Sequence, residues 1–125
     1  MNLGLVSIIT PSWNCAAFIC ETIRSIQSQT YSNWELIISD DCSTDNTQKV
    51  IEPYLQEDNR IKYICNDKNC GAAITRNNAL KIAKGKWIAF LDSDDLWLPE
   101  KLEKQVAFMV ENNYAFSYHE YMEMT

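Results

Sequence analysis

Hydrophobic and polar positions along this chain follow two alternating patterns. Residues 5–9, 34–39 and 87–91 form three short, mostly apolar runs, as expected of strands that are covered on both faces of a sheet. Residues 60–64 instead alternate between polar and apolar side chains, which is typical of a half-exposed strand. The pattern therefore predicts four strands at these positions.

Between the strands, apolar residues recur at every third or fourth position, which is the period of a helix with one buried face. Helices are predicted over residues 15–29, 46–55, 72–83 and 99–112. Asn14 is a suitable N-cap for the first helix, and Pro53 should kink the second helix or end it early. Gly85 should stop the third helix, and Pro99 suits the first turn of the fourth.

The regular alternation of strand and helix predicts an α/β domain with a mainly parallel, open sheet and helices on both faces. The 125 residues are enough for one domain. A last strand is predicted at residues 115–118, only a few residues before the end of the sequence. Because that is an unusual place for a domain to stop, we expect the chain to be the first half of a larger domain.

Composition and charge exclude several classes of function. The net charge of −6 and the pI of about 4.7 argue against nucleic acid as a partner, because phosphate-backbone binding depends on clustered Lys and Arg. No apolar stretch is long enough to predict a transmembrane helix. The five cysteines have irregular spacings that predict neither a disulfide framework nor a zinc site, so we expect reduced thiols and a cytoplasmic protein.

Acidic residues gather where two of the predicted strands end. Asp40 and Asp41 follow the second strand, and Asp92, Asp94 and Asp95 follow the fourth. The carboxyl ends of parallel strands meet at one edge of a sheet, which is where open α/β sheets bind ligands. Carboxylates packed this closely repel each other unless a cation compensates them. Mg²⁺ and Mn²⁺ prefer such oxygen ligands, so the sequence predicts a divalent metal site that allows phosphates to bind here.

Several residues also have a plainer interpretation. Asp92 and its neighbours could cap the helix that begins near Pro99, although capping needs only one acid. Trp13 is suited either to core packing or to stacking on a base, and Arg76 either to an ordinary helix surface or to a phosphate. His119 is a lone histidine for which we expect no role. With only three glycines, the chain lacks both the P-loop and the GxGxxG fingerprint.

The order of these motifs resembles the N-terminal half of a family-2 glycosyltransferase with the GT-A fold. The resemblance rests on Val6-Ser7-Ile8-Ile9-Thr10-Pro11-Ser12-Trp13-Asn14, Ser25-Ile26-Gln27-Ser28-Gln29-Thr30-Tyr31, Trp34-Glu35-Leu36-Ile37-Ile38-Ser39-Asp40-Asp41-Cys42-Ser43-Thr44-Asp45, Gly71-Ala72-Ala73 with Arg76-Asn77, and Gly85 to Asp95 with Pro99-Glu100-Lys101-Leu102. It extends over nearly the whole chain.

The resemblance implies a role for each matching position. The turn around Pro11 and Trp13 would lie against the base of a nucleotide, and Asp41 would accept a hydrogen bond from that base, typically from uracil N3–H. Asp92 and Asp94 match the D-x-D pair, which meets the ribose and the metal that bridges the diphosphate. The expected nucleotide-sugar site consists of Pro11, Trp13, Asp41, Arg76, Asp92, Ser93 and Asp94, with Asp92, Asp94 and Asp95 as candidate metal ligands.

The same resemblance implies an activity. It is an inverting, metal-dependent transfer of a sugar from a nucleoside diphosphate sugar, typically a UDP-sugar, to a carbohydrate or lipid-linked acceptor in cell-surface polysaccharide or glycoconjugate synthesis. Inverting enzymes of this family take their general base, usually an Asp, from a C-terminal half. We therefore expect these 125 residues to bind the donor without turnover, in the cytoplasm or at the inner face of the membrane. An exposed apolar edge would favour a homodimer.

Two other classes fit the same α/β pattern. A receiver-type signalling domain also has acids at its strand ends, but it should carry an acid pair after the first strand, where this chain has Thr10 and Pro11. A non-catalytic nucleotide-binding or assembly module is the second alternative.

Overall fold

The computed structural model of the chain describes residues 2–112. Strands and helices alternate along it in the predicted order. They are β1 (Val6–Ser12), α1 (Ile19–Gln27), β2 (Trp34–Asp40), α2 (Thr47–Glu57), β3 (Ile61–Cys65), α3 (Ala72–Ile82), β4 (Trp87–Phe90) and α4 (Lys101–Glu111). The strand predicted at residues 115–118 and His119 lie outside the described residues.

The four strands form one parallel sheet in the order β3-β2-β1-β4. Val6, at the start of β1, lies opposite both Trp34 of β2 and Trp87 of β4, so these three strands begin at the same level. The predicted fold class is confirmed. Because all four strands run in one direction, their carboxyl ends meet at a single edge of the sheet. The acidic residues that follow β2 and β4 therefore lie at the same edge.

Both faces of the sheet carry helices, as predicted. On one face, α1, α2 and α4 contribute Ile23, Ile51 and Val106 to the main core, which also contains Ile8 and Leu36 of the sheet. All five side chains are fully buried or nearly so. Successive strand residues point to opposite faces, so the intervening residues of β1 and β2 are left for the other side.

The opposite face carries α3, where Ala79 joins Ile9, Ile37 and Phe90 in a smaller core. This change of face follows from the strand order. The crossovers through α1 and α2 step in one direction along the sheet, whereas α3 returns across β2 and β1 to reach β4, and a right-handed crossover then lies on the other side. Open α/β sheets bind ligands at the carboxyl ends of their strands, near such a reversal.

β1 is longer than the sequence predicts. The expected end is Ile9, but the strand continues through Pro11 to Ser12. Proline lacks the N–H that a ladder uses, yet β1 pairs only with β2 beyond Ile9, because the pairing with β4 ends there. The extra residues bring Ser12 opposite Asp40 at the edge of the sheet.

α1 is shorter than predicted, since it begins at Ile19 rather than Cys15. Before it, the Cys15 carbonyl accepts hydrogen bonds from the N–H groups of Phe18 and Ile19, each at 2.9 Å. Asn14 does not cap this helix, because its side-chain oxygen accepts hydrogen bonds from the loop after β2 instead. The N-cap prediction for Asn14 is therefore wrong.

α2 continues through Pro53 to Glu57, so the early end predicted at the proline is wrong. Pro53 removes the N–H that would bond to the Lys49 carbonyl. Both residues are exposed, and water can satisfy that carbonyl.

Gly85 is not the residue that stops α3, which ends at Ile82 with Ala83 as its C-cap. A Cβ atom at Gly85 would lie only 2.6 Å from the Ser7 nitrogen. The glycine is therefore needed for close packing of β1 against the segment that leads into β4.

Two further findings concern the described part of the chain. None of its helices has the length and apolar character that a bilayer-spanning segment requires. All five cysteines lie within residues 2–112, and each is a free thiol.

Candidate functional site

A cleft of about 750 Å³ opens at the carboxyl edge of the sheet. Its walls come from the ends of β1, β2 and β4, the loop before α3 and the first turns of α3. The lining residues are Pro11, Ser12, Trp13, Asp41, Cys42, Thr44, Asn69, Ala72, Thr75, Arg76 and Asp92. The structure thus brings together five residues that the sequence singles out, namely Pro11, Trp13, Asp41, Arg76 and Asp92.

Asp41 follows β2 and is held by the segment that leads into α3. Its Oδ1 accepts hydrogen bonds from the Cys70 N–H at 2.6 Å and from the Asn66 side-chain amide at 2.9 Å, and its Oδ2 accepts one from the Gly71 N–H at 2.9 Å. Gly71 has a φ of +94°, which few other residues adopt readily. The carboxylate is therefore fixed in the wall of the cleft, where the residue is 7% exposed.

These contacts hold Asp41 in its ionised form. Desolvation raises the pKa of this carboxyl, but hydrogen bonds from Cys70, Asn66, Gly71 and Thr75 outweigh it and leave the pKa below its ordinary value. The carboxylate also lies at the N-terminus of α3, where the helix dipole favours negative charge. Because an ionised carboxylate can only accept hydrogen bonds, Asp41 suits a ligand that offers an N–H or O–H group.

Asn14 joins the loop after β1 to the loop after β2. Its Oδ1 accepts hydrogen bonds from the N–H groups of Thr44 at 2.8 Å and Asp45 at 3.2 Å, and its own N–H donates to Ser43 Oγ at 2.9 Å. Asn14 and Cys42 have positive φ angles of +50° and +61°. Residues other than glycine keep such strained conformations only where surrounding contacts hold them. The contacts of Asn14 thus fix two walls of the cleft relative to each other.

Asp40 has a structural role that differs from that of its neighbour. Its carboxylate is buried and accepts hydrogen bonds from the hydroxyls of Ser12, Ser43 and Tyr63. Desolvation and the contact with Asp40 raise the pKa of Tyr63, so that hydroxyl remains a donor. Asp40 therefore ties the end of β2 to β1 and β3 behind the wall of the cleft.

The sequence allows two interpretations each for Trp13 and Arg76, and the structure places both residues on the cleft wall. Trp13 is 54% exposed, so its core-packing interpretation is wrong. Arg76 is partly buried and lies one helical turn beyond Ala72 on α3. An exposed aromatic ring and a guanidinium in one cleft suit a base and a phosphate respectively.

The acidic turn after β4 lies at the edge of this cleft. Asp92 lines the cleft, whereas Ser93, Asp94 and Asp95 do not, and Asp94 is exposed. The Asp95 N–H donates to the Asp92 carbonyl at 3.1 Å and closes the turn. Desolvation raises the pKa of Asp95, and the nearby charges of Asp92 and Asp94 add to that effect.

These carboxylates suit a metal ion that is shared with a ligand. Among residues 2–112, no three Asp, Glu, His or Cys side chains are gathered as a complete ligand set. Mg²⁺ in phosphate-binding sites, however, takes one or two carboxylates from the protein and its other oxygens from phosphates and water. Acids of the turn, together with a diphosphate in the cleft, fit that kind of donor set.

Sequence reasoning missed the residues that hold Asp41. Asn66, Cys70 and Gly71 lie in a segment that reads as a polar connecting loop, and its density of Asn, Asp and Gly is ordinary for any turn. Thr75 was missed as well, because helical propensity does not distinguish a residue facing a cleft from one facing the core.

Known proteins resemble this chain in both sequence and fold. The sequence model described as "Glycosyl transferase family 2" matches residues 7–123. An Escherichia coli protein, UDP-Glc:alpha-D-GlcNAc-diphosphoundecaprenol beta-1,3-glucosyltransferase WfgD, is 52% identical over 122 residues, which are 97% of this chain and 47% of that protein. The chain spans about half the length of several curated relatives that it matches.

Solved structures share the fold, and two examples have bound ligands. S. aureus TarS 1-349 in complex with UDP-GlcNAc superimposes with a TM-score of 0.80 at 34% identity, covering 86% of this chain and 32% of TarS 1-349. The mannosyltransferase PcManGT from Pyrobaculum calidifontis, in complex with GDP-Man and Mn²⁺, gives a TM-score of 0.79 at 27% identity, covering 83% of this chain and 32% of PcManGT.

These matches agree with the parallel α/β sheet, and they exclude the receiver-type signalling domain as the family of this chain. The fold is that of a GT-A glycosyltransferase. The chain belongs to glycosyl transferase family 2.

Proposed function

We propose that the cleft binds a nucleoside diphosphate sugar, preferably a UDP-sugar, as the donor for glycosyl transfer. The observation that carries the proposal is the ionised carboxylate of Asp41, held by the start of α3 in a cleft that Trp13 and Asp92 also line. Trp13 would stack on the base, Pro11 would flank it, and Asp41 would accept the N3–H of uracil. WfgD is named for UDP-Glc and TarS 1-349 was solved with UDP-GlcNAc, which supports this donor class.

The acidic turn and Arg76 would bind the ribose and the diphosphate. Arg76 can pair with phosphate oxygens through two parallel N–H groups. One Mg²⁺ or Mn²⁺ would be held by Asp92 and by one further acid of the turn around Ser93, either Asp94 or Asp95. A cation held there would neutralise the charge of the departing nucleoside diphosphate. The Mn²⁺ in the PcManGT complex supports this assignment.

The proposed reaction is an inverting transfer. An acceptor hydroxyl that has lost its proton to a general base attacks the anomeric carbon, and the bond from that carbon to the diphosphate oxygen breaks. We assign donor binding to residues 2–112 and assign no general base among them. The acceptor, for which the name of WfgD suggests a lipid-linked saccharide, is proposed for the whole protein, because the chain spans 47% of that relative.

Calorimetric titration tests the donor assignment. UDP should bind the 125-residue chain more tightly with Mn²⁺ than without it. CDP should bind at least about tenfold more weakly than UDP, because cytosine N3 carries no proton and would face the ionised Asp41. Equal affinities for UDP and CDP would contradict the role of Asp41, and no binding of either would contradict the proposed function.

Single substitutions locate the metal ligands. Asp92→Ala should reduce the gain in UDP affinity that Mn²⁺ provides, and whichever of Asp94→Ala and Asp95→Ala removes the second ligand should reduce it as well. Asp67→Ala, at an exposed acid in the loop before α3, is the matched control and should leave that gain unchanged.

A further inference from the structure

A stripe of polar side chains along α1 contacts the backbone of the acidic turn. Thr22, Ser25 and Gln29 lie on one side of the helix and its extension, since they are spaced at one and two turns. The Thr22 Oγ1 lies 2.8 Å from the Ser93 carbonyl oxygen and 3.0 Å from the Asp95 carbonyl oxygen, so its single proton is shared between these two acceptors, while the Phe18 carbonyl of its own helix is farther away at 3.4 Å. α1 therefore holds the turn through its backbone, on the side away from solvent.

The same stripe continues beyond the turn. The Trp97 N–H donates to Ser25 Oγ at 3.3 Å, and Gln29 Nε2 donates to the Leu98 carbonyl at 2.8 Å. These contacts join sequence positions about 70 residues apart. They fix the segment between β4 and α4 against α1 rather than leaving it as an independent loop.

Thr22 has a distinctive position within this stripe. It is 1% exposed and is not among the residues that line the cleft. The two carbonyls that it binds belong to the residues on either side of Asp94, so the hydroxyl fixes the backbone both before and after this carboxylate. Carboxylates this close repel each other, and repulsion alone would favour a more open turn.

We propose that Thr22 is a positioning residue for metal-dependent donor binding. By holding the carbonyls of Ser93 and Asp95, it sets the spacing at which the acids of the turn meet the cation of the donor complex. The inference rests on the proposed function. Groups that orient metal ligands without touching the metal typically change metal affinity by about ten- to hundredfold when they are removed.

Two substitutions at this position separate the hydroxyl from the rest of the side chain. Thr22→Val keeps the shape and removes the hydroxyl, and Thr22→Ser keeps the hydroxyl. The probes are Mn²⁺ titrated by electron paramagnetic resonance at saturating UDP, and UDP titrated in the presence of a chelator. Thr22→Val should weaken Mn²⁺ binding by about tenfold or more while the affinity for UDP without metal stays unchanged. Thr22→Ser should behave as the wild type.

Thr47→Val is a matched control. Thr47 is also a fully buried helical threonine, and its hydroxyl contacts Asp45 and the Cys15 N–H. Loss of the Thr47 hydroxyl should lower the free energy of unfolding without changing the Mn²⁺ affinity of the UDP complex. If Thr22→Val does not fold, Ser25→Ala takes its place, because it removes the contact with the Trp97 N–H, and it should also weaken Mn²⁺ binding.

Wild-type Mn²⁺ affinity in Thr22→Val, or in Ser25→Ala where that variant replaces it, would overturn the inference. Equal losses of UDP affinity with and without Mn²⁺ would overturn it as well, since they indicate a role in general folding. Weaker Mn²⁺ binding in Thr22→Ser would also overturn the inference, because that variant keeps the hydroxyl. A wild-type protein that binds UDP without any effect of Mn²⁺ refutes the proposed metal site, and this inference with it.

Discussion

Asp41 and Gly71 are joined by a hydrogen bond of 2.9 Å from the glycine N–H to the carboxylate Oδ2, which connects the end of β2 to the start of α3. The two elements lie at one wall of the cleft, 30 residues apart in sequence. The same carboxylate accepts the Cys70 N–H and the Asn66 amide. One side chain thus organises a wall of the cleft and stays available to a ligand only as a hydrogen-bond acceptor.

Replacing this carboxylate should impair both stability and binding. In Asp41→Asn, one oxygen becomes an NH₂ group that faces backbone N–H donors, so a buried polar group loses its partner. We expect a loss of about 1–3 kcal/mol in the free energy of unfolding and a loss of at least about tenfold in UDP affinity. Urea unfolding and calorimetry measure these effects. Asp67→Asn, at an exposed acid in the loop before α3, should change neither quantity, and an Asp41→Asn variant with wild-type stability and UDP affinity would contradict the account.

Trp13 should contribute to donor binding through its exposed ring. Trp13→Ala should weaken UDP binding by about tenfold, because stacking of an aromatic ring on a base contributes about 1–3 kcal/mol. Phe18→Ala is a close control, since Phe18 is also 54% exposed but does not line the cleft. Calorimetry should separate the two variants, and equal affinities in both would remove Trp13 from the proposed site.

Low pH should destabilise the protein, because the folded structure stabilises the ionised form of certain carboxylates. For Glu35, desolvation raises the pKa, but contacts led by the Lys62 side chain outweigh it and lower the pKa overall. For Asp58, the hydrogen bond from Arg60 is the largest effect and lowers the pKa. A native pKa below the unfolded value of about 4 means that the unfolded chain binds protons more readily. This stabilisation is present above that pH and is lost as the pH falls through the native pKa.

Urea unfolding at a series of pH values measures the effect. The free energy of unfolding should change little between about pH 7 and 5 and should fall below about pH 4. Glu35→Gln removes one of these carboxyls, so its decline in acid should be less steep. Stability that rises as the pH falls from 5 to 3 would contradict the assignment.

Gly85 should be required for stability and not for donor binding. A Cβ atom there would lie 2.6 Å from the Ser7 nitrogen and 2.8 Å from the Leu5 carbonyl oxygen, near the start of β1 and away from the cleft. Gly85→Ala should lower the free energy of unfolding by about 1–3 kcal/mol and leave the UDP affinity of the folded protein unchanged. Lys84→Ala, at the exposed neighbouring side chain, should stay within about 0.5 kcal/mol of the wild type.

The sequence predicts the order of elements because the hydrophobic period changes sharply between strands and helices. It is less reliable at the ends, where contacts with other segments decide the outcome. β1 can include Pro11 because β4 no longer pairs with the strand there, and the Asn14 side chain accepts hydrogen bonds from the loop after β2 instead of capping α1. Neither effect has a local signature in the sequence.

The candidate site, too, could be predicted from the sequence only in part. The convergence of Asp41 and Asp92 follows from the parallel sheet, since strand ends meet at one edge. The supports of these acids do not follow from it, because Gly71 reaches Asp41 and Thr22 reaches Ser93 across 30 and 71 residues of sequence. Only the folded chain brings such partners together.

A map of UDP and Mn²⁺ on the protein by nuclear magnetic resonance tests the central claim most directly. Addition of UDP to the ¹⁵N-labelled chain should shift the amide signals of Trp13, Asp41, Gly71 and Arg76, and Mn²⁺ added to that complex should broaden the signals of residues 92–95 through its unpaired electrons. Shifts confined to another surface, or broadening that spares residues 92–95 while UDP is bound, would contradict the proposal that this cleft holds a nucleotide-sugar donor and its metal.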